Sequence, residues 1–194
     1  WKWSGLGSGD LQQNCGPLDL FYMIYAQFHS LEYRQRYASW LRIDFPRLFL
    51  PKNAELFRLL SAEGRKLVQG HLLRGEPTGH VAPFQVVGKE TDAEMTVAAS
   101  FPKYQQDSIW INSNGCFGQV PIAVWEYEVG GHQVCRKWLK DRRGRQLTVA
   151  EIGQYQHLIW AVAETLEVRE TIDRLIAADG GWPAAFLGDC VLVE

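Results

Sequence analysis

Apolar residues recur every three to four positions at both ends of this 194-residue chain, while the middle breaks into short β-branched and aromatic clusters between glycine, proline and asparagine. Helical spacing gathers side chains on one stripe and strand spacing gathers them on one face, so a segment can serve only one of the two periods. The order helix, strand, helix therefore predicts an α+β fold, with helices at both ends packed around a small central mixed or antiparallel sheet.

Leu20, Phe21, Ile24, Tyr25 and Phe28 form the first helical stripe, and Pro17 suits its opening turn. Ser30 is placed to cap a second helix through Tyr33, Tyr37, Trp40 and Leu41, which must end before Pro46 because proline disfavours helix in the residue it follows. The segment FPRLFLP then reads as an extended connector, and Asn53 caps a third helix from Ala54 to Leu73 that buries Leu56, Leu59, Leu60, Leu67 and Val68. After Gly75 the stretches VAPFQVVG, MTVAAS and IWIN are expected as strands, with a turn over Ser113 to Gly115. Pro121 to Val129 is expected as a further strand, and Gln133 to Lys140 as a short helix. Thr148 and Glu151 make a capping box for a long helix through Ile152, Tyr155, Ile159, Val162 and Leu166, with one short strand near Cys190 to Val193. The expected organisation is an irregular lead-in over 1–16 continuing from an upstream part, since the chain starts at Trp1 without an initiator Met. One domain over 17–178 and a C-terminal extension over 179–194 complete it.

With 46% hydrophobic and 12% aromatic residues the chain can bury a sizeable core, which excludes a disordered tail. No apolar run approaches the roughly 20 residues that span a bilayer, so a membrane partner is not expected. Cys15, Cys116, Cys135 and Cys190 stand too far apart for paired zinc ligands or a dense disulfide framework, which predicts reduced thiols and a cytoplasmic protein. His29, His71, His80, His132 and His157 show no ligand spacing, so no metal is expected. Lys89, Asp92 and Glu94 read as a charged hairpin, their order being wrong for a metal-dependent nuclease.

The net charge is only −2, but its distribution is uneven. RKWLKDRRGR, from Arg136 to Arg145, holds six basic residues against the single Asp141. Such side chains beside a glycine turn suit phosphate, because each displaces a condensed counterion and fixes register without selecting sequence. Arg136, Lys137, Lys140, Arg142, Arg143 and Arg145 are therefore the candidate phosphate contacts, with local pairing to Asp141 or to the acidic last helix as the plain alternative. Base reading needs donors and acceptors at groove edges. Gln133 beside Gly130 and Gly131, and Asn112 with Asn114 at a strand end, are candidates, although the same residues also build tight turns. Arg34 either reaches DNA or pairs with Glu32 or Asp44.

Three blocks in order carry a resemblance: EYRQRYASWLRIDFPRLFLP, ELFRLLSAEGRKLVQGHLL, and the long run from Trp110 to Asp173 containing WxYxxGGxxVxxKWLKDRxGR at Trp125 to Arg145. Over Pro17 to Asp173 the chain resembles the C-terminal specificity region of Type ISP restriction-modification enzymes and related adenine-specific DNA methyltransferases. The resemblance implies a bacterial target-recognition domain for double-stranded DNA, covalently linked to a methyltransferase domain that uses S-adenosylmethionine, with a nuclease and translocase in the Type ISP enzymes. The Asp/Asn-Pro-Pro-Tyr/Phe motif of such enzymes has no counterpart in these residues, so no catalytic site and no cofactor are expected within this chain. The alternative is a protein-interaction or scaffold domain that packs on the methyltransferase without touching DNA.

Overall fold

The computed structural model describes residues 2–3, 5, 7–75, 77, 82–87 and 95–190, with the backbone alone for 188–190. The hairpin expected at Lys89, Asp92 and Glu94, His80, and most of the strand expected at 190–193 lie outside them. In chain order the elements are β1 (Lys2–Trp3), β2 (Asn14–Cys15), α1 (Pro17–His29), α2 (Leu31–Arg36), a 3-10 turn (Trp40–Arg42), β3 (Leu48–Pro51), α3 (Ala54–His71), β4 (Phe84–Val86), β5 (Lys103–Gln105), β6 (Ser108–Trp110), β7 (Gly115–Phe117), α4 (Ile122–Glu126), β8 (Glu128–Val129), β9 (His132–Gln133), α5 (Val134–Lys140), α6 (Val149–Ala178) and β10 (Phe186–Cys190). The fold is α+β, and the chain divides into two compact units: Trp1–Gly75 with Thr165–Glu194, and Glu76–Glu164.

In the first unit, α1 and α3 lie against each other, and their small residues set the spacing. Ala26 is buried on α1, and a Cβ on Gly64 of α3 would fall 1.8 Å from the Tyr22 carbonyl oxygen. Ser61 Oγ donates across the seam to the Asp19 carbonyl at 3.0 Å. Met23, Leu56, Leu60 and Leu67 continue into one core with Val168, Ile172 and Ile176 of α6 and with Tyr33, Phe49, Trp182 and Phe186. The caps form as the side chains dictate: Ser30 Oγ accepts from Tyr33 N at 3.0 Å and Asn53 Oδ1 from Leu56 N at 2.8 Å. Two acids of α6 and its end serve the same purpose. Asp173 accepts from Ser30 Oγ at 2.5 Å and Leu31 N at 3.0 Å, where α2 begins, and Asp179 accepts from Asn53 Nδ2 at 2.8 Å. The expected connector at 45–51 carries a strand over Leu48–Pro51, because β10 arrives to pair with it, Phe186 opposite Pro51 and Leu187 opposite Leu50.

The same unit holds a histidine cluster. His29 Nδ1 lies 2.8 Å from the Tyr25 carbonyl, His71 Nδ1 lies 2.7 Å from Tyr25 Oη, and the two imidazoles are 5.3 Å apart. Burial, resisting the charged form, holds the His29 imidazole down to about 4 and lowers His71 as well. The unfolded chain therefore takes up a proton near pH 6.5 that the folded chain refuses until about pH 4. Stability is flat above that window and falls as pH drops through it, by up to about 1.4 kcal/mol per pH unit for His29. Urea titrations between pH 7 and 4 should show this slope, and His29→Gln should flatten it.

The second unit is built on a four-stranded antiparallel sheet in the order β4-β7-β6-β5. Ile109 and Phe117 are fully buried, and Phe117 meets Tyr155 of α6 edge-on with ring centres 4.6 Å apart. Tyr155 Oη donates to the Cys135 carbonyl at 3.1 Å, which ties α5 to α6. Residues 121–129, expected as one strand, instead form α4 and then β8. One helical turn buries Val124 and the neighbouring Trp125 together, which strand alternation would place on opposite faces. Of MTVAAS only Thr96 makes a bridge, opposite Gln146.

Candidate nucleic-acid interface

The central element is a hairpin that runs straight into a helix. Glu128 pairs with Gln133 and Val129 with His132, so Gly130 and Gly131 are the whole connection. Their φ values of +59° and +78° are the left-handed pair that a two-residue hairpin of matching twist requires. Val134 N donates to the Tyr127 carbonyl at 3.1 Å, and α5 starts there. Cys135 and Leu139 face the core, and burial pushes the Cys135 thiol up to about 12, so this cysteine is a packing group and not a nucleophile. The opposite side of α5 carries Arg136, Lys137 and Lys140, with both lysines in the last turn where the helix dipole favours cations.

Hairpin and helix form an open cleft of about 230 Å³ lined by Glu128, Gly131, His132, Gln133, Arg136, Lys137 and Lys140, so three cations face one carboxylate there. Here the structure brings together what the sequence proposed as separate contact types, an amide and three cations. Arg136 Nη1 donates to Gln133 Oε1 at 3.2 Å, which orients the amide. Lys137 pairs with Asp141 one turn on, both about half exposed; such a pair is worth only about 0.5 kcal/mol and yields readily to a phosphate. Among the described residues, the Lys140 ammonium has no hydrogen-bond or ion-pair partner.

The other half of the basic run is engaged in holding the fold. Arg142 lies 3.6 Å over the Trp138 ring, donates to the Trp138 carbonyl at 3.0 Å and reaches Glu151 Oε1 at 3.4 Å. Arg145 donates to the same Glu151 oxygen at 2.5 Å, and Arg143 Nε donates to the Phe101 carbonyl at 2.6 Å. The Thr148 N–H, followed by Arg145, holds the Glu151 carboxyl below the usual carboxylate range. The structure thus divides the six cations into Arg136, Lys137 and Lys140 along the cleft, and Arg142, Arg143 and Arg145 around the start of α6.

Asn112 is the turn former of its pair. Its buried Oδ1 accepts from Asn114 N at 2.8 Å and Gly115 N at 2.6 Å, and Nδ2 donates to the Thr96 carbonyl at 2.9 Å, so both polar atoms of the amide serve the turn. Asn114 is exposed at the same turn, and Arg34 stands in the first unit on the exposed side of α2. Sequence reasoning missed a second polar concavity in the second unit, built from Gln85, Gln106 and Gln119. Nothing in their spacing marks it, since three separate segments supply it.

No helix among the described residues is long and apolar enough to cross a membrane. No curated protein matches the chain. Its fold is similar to that of a nuclease-deletion mutant of the Type ISP restriction-modification enzyme LlaGI in complex with a DNA substrate mimic, at 24% identity and a TM-score of 0.60, over 81% of this chain and 14% of that one. The ATP-dependent Type ISP enzyme LlaBIII bound to DNA aligns at 21% identity and 0.56, over 81% of this chain and 11% of its own. The DrdV-DNA complex aligns at 21% and 0.50, over 82% and 18%. The chain thus spans under a fifth of the length of each. The family model that describes the Type ISP C-terminal specificity domain covers residues 5–171, most of the sequence, and this chain belongs to that family.

Proposed function

We propose that the chain selects the DNA target of a restriction-modification enzyme, and that a covalently linked domain transfers a methyl group from S-adenosylmethionine to adenine. Family membership supports the target-recognition part. The observation that carries DNA contact is the cleft that Arg136, Lys137 and Lys140 line together with Gln133, the Lys140 ammonium having no partner among the described residues. In this reading the cations neutralise successive phosphates and set register, while the Gln133 amide, steadied by Arg136, is offered to a base edge.

The test is the salt dependence of binding to duplex DNA. Each phosphate contact adds about 0.9 to the slope of log affinity against log salt, so replacing Arg136, Lys137 and Lys140 by Ala should lower it by about 2.7. Across 50 to 200 mM salt the wild-type chain should then lose about 40-fold more affinity than the triple variant. Equal slopes would remove the cleft from the interface. A second reading, packing against another domain of the same polypeptide, is favoured by Ile43 and Phe45, which are 85% and 87% exposed beside Trp40. It predicts no binding to DNA at any salt.

A further inference from the structure

The geometry points to a base-reading notch in the second unit, where the amides of Gln85, Gln106 and Gln119 meet base edges of duplex DNA with a preference for adenine. This rests on the DNA-binding reading above and adds a second surface, one without cations, to it.

The notch is open and about 660 Å³ in volume, between the β5–β6 hairpin tip and the loop from Gly118 to Pro121, with Gln85 of β4 as its floor. Among the described residues, the three glutamine amides have no hydrogen-bond partner. An amide presents one donor and one acceptor side by side, which matches N7 and the N6 amino group of adenine in the major groove. The lining contains no cation and includes the Asp107 carboxylate, so phosphate is repelled and a base edge is the complementary DNA group.

The backbone carries an independent argument. Gln106 and Asp107 are the two residues of the hairpin connection, with φ of +50° and +51°, and Gln119 has φ of +59°. Glycine takes these angles freely and is the usual choice in such a turn, whereas a long side chain is strained there. Two glutamines kept in left-handed backbone at one concavity are explained if their amides are used. The positions are also fixed. Val120 N donates to the Asp107 carbonyl at 2.8 Å and Gly118 N to the Pro83 carbonyl at 2.9 Å. Tyr104 Oη lies 2.8 Å from the Val120 carbonyl and 3.0 Å from the Asp107 carboxylate. Gly118 gives Gln85 its room, since a Cβ there would stand 3.1 Å from the amide nitrogen. These hydrogen bonds fix the backbone from which the three exposed glutamines project, so their amides reach a base from a set position.

The test uses the full chain and a pool of duplexes with a randomised centre, from which bound sequences are recovered and counted. Wild-type protein should enrich a sequence containing at least one A·T position. Gln106→Gly and Gln119→Gly should each weaken that preference roughly tenfold and leave the salt slope unchanged. Both should melt at or above the wild-type temperature, because glycine relieves the backbone, so a lost preference cannot be ascribed to misfolding. Gln85→Ala should act in the same direction. Binding with the same bias in all three variants, or wild-type binding with no bias at all, overturns this inference and leaves the cationic cleft standing. Absence of DNA binding at low salt overturns both.

Discussion

A single methyl group added at Gly64 should cost the protein about 3 kcal/mol or more and lower its melting temperature by roughly 6–12 °C. The reason is where that methyl would go. It meets the Tyr22 carbonyl oxygen at 1.8 Å and its carbon at 2.6 Å, with Ala26 N at 3.2 Å, and all three atoms are backbone of α1. A side chain could turn away, but here a whole helix has to retreat from α3. That retreat opens the seam over Met23 and Leu60, both fully buried. Alanine's higher helix propensity returns about 1 kcal/mol, which does not reverse the sign. Gly70, on the same helix, has nothing within 4 Å of an added Cβ, so Gly70→Ala should stabilise by about 0.5–1 kcal/mol. Equal effects of the two changes in urea denaturation would mean that α1 and α3 are not in close contact.

Glu151→Ala should be the most damaging polar change in the second unit, at roughly 2–4 kcal/mol, and should leave the salt slope of DNA binding untouched. One carboxylate does several things at once. Oε2 accepts from Thr148 N at 3.1 Å and Thr148 Oγ1 at 3.3 Å to close the capping box, while Oε1 accepts from Arg145 at 2.5 Å and Arg142 at 3.4 Å. Its removal strands Arg142, only 25% exposed against the Trp138 ring, without its counter-ion. Glu151→Gln keeps an acceptor for the cap and loses the charge, so it should lie between wild type and alanine. With the Glu151 carboxyl held low, its contribution is complete above about pH 4.5 and disappears as pH falls through the lowered value. If either change flattened the salt dependence as strongly as the loss of Arg136, Lys137 and Lys140, the division of the basic run into a contact half and a structural half would be wrong.

Much of the local structure was legible from the residues. Pro17, Ser30 and Asn53 open helices where first-turn and capping chemistry places them, and the Thr148 to Glu151 box starts α6. These signals act within one turn of chain, so nothing distant can override them cheaply. The expected helix at Gln133 to Lys140 starts one residue later, at Val134, and the Gly130–Gly131 turn beside it forms, because two glycines at positive φ need no outside support. The strand expected at 121–129 became a helical turn because Trp125 gains a stacked partner, Tyr104, with ring centres 6.0 Å apart. That gain is invisible in a window of nine residues.

Sequence alone determined the α+β class, the starts of α1, α2, α3 and α6 and the basic run with its glycine turn, all of which depend on spacing along the chain. Tertiary structure decided that the run splits at Asp141, that Leu48–Pro51 is a strand, and that three distant glutamines share one notch. Each of these depends on which residue from elsewhere arrives alongside: Glu151 beside Arg142 and Arg145, β10 beside β3, and the loop at Gly118 beside the tip at Gln106. Charge and hydrogen-bonding capacity belong to a residue, but whether they are satisfied belongs to its neighbours in space.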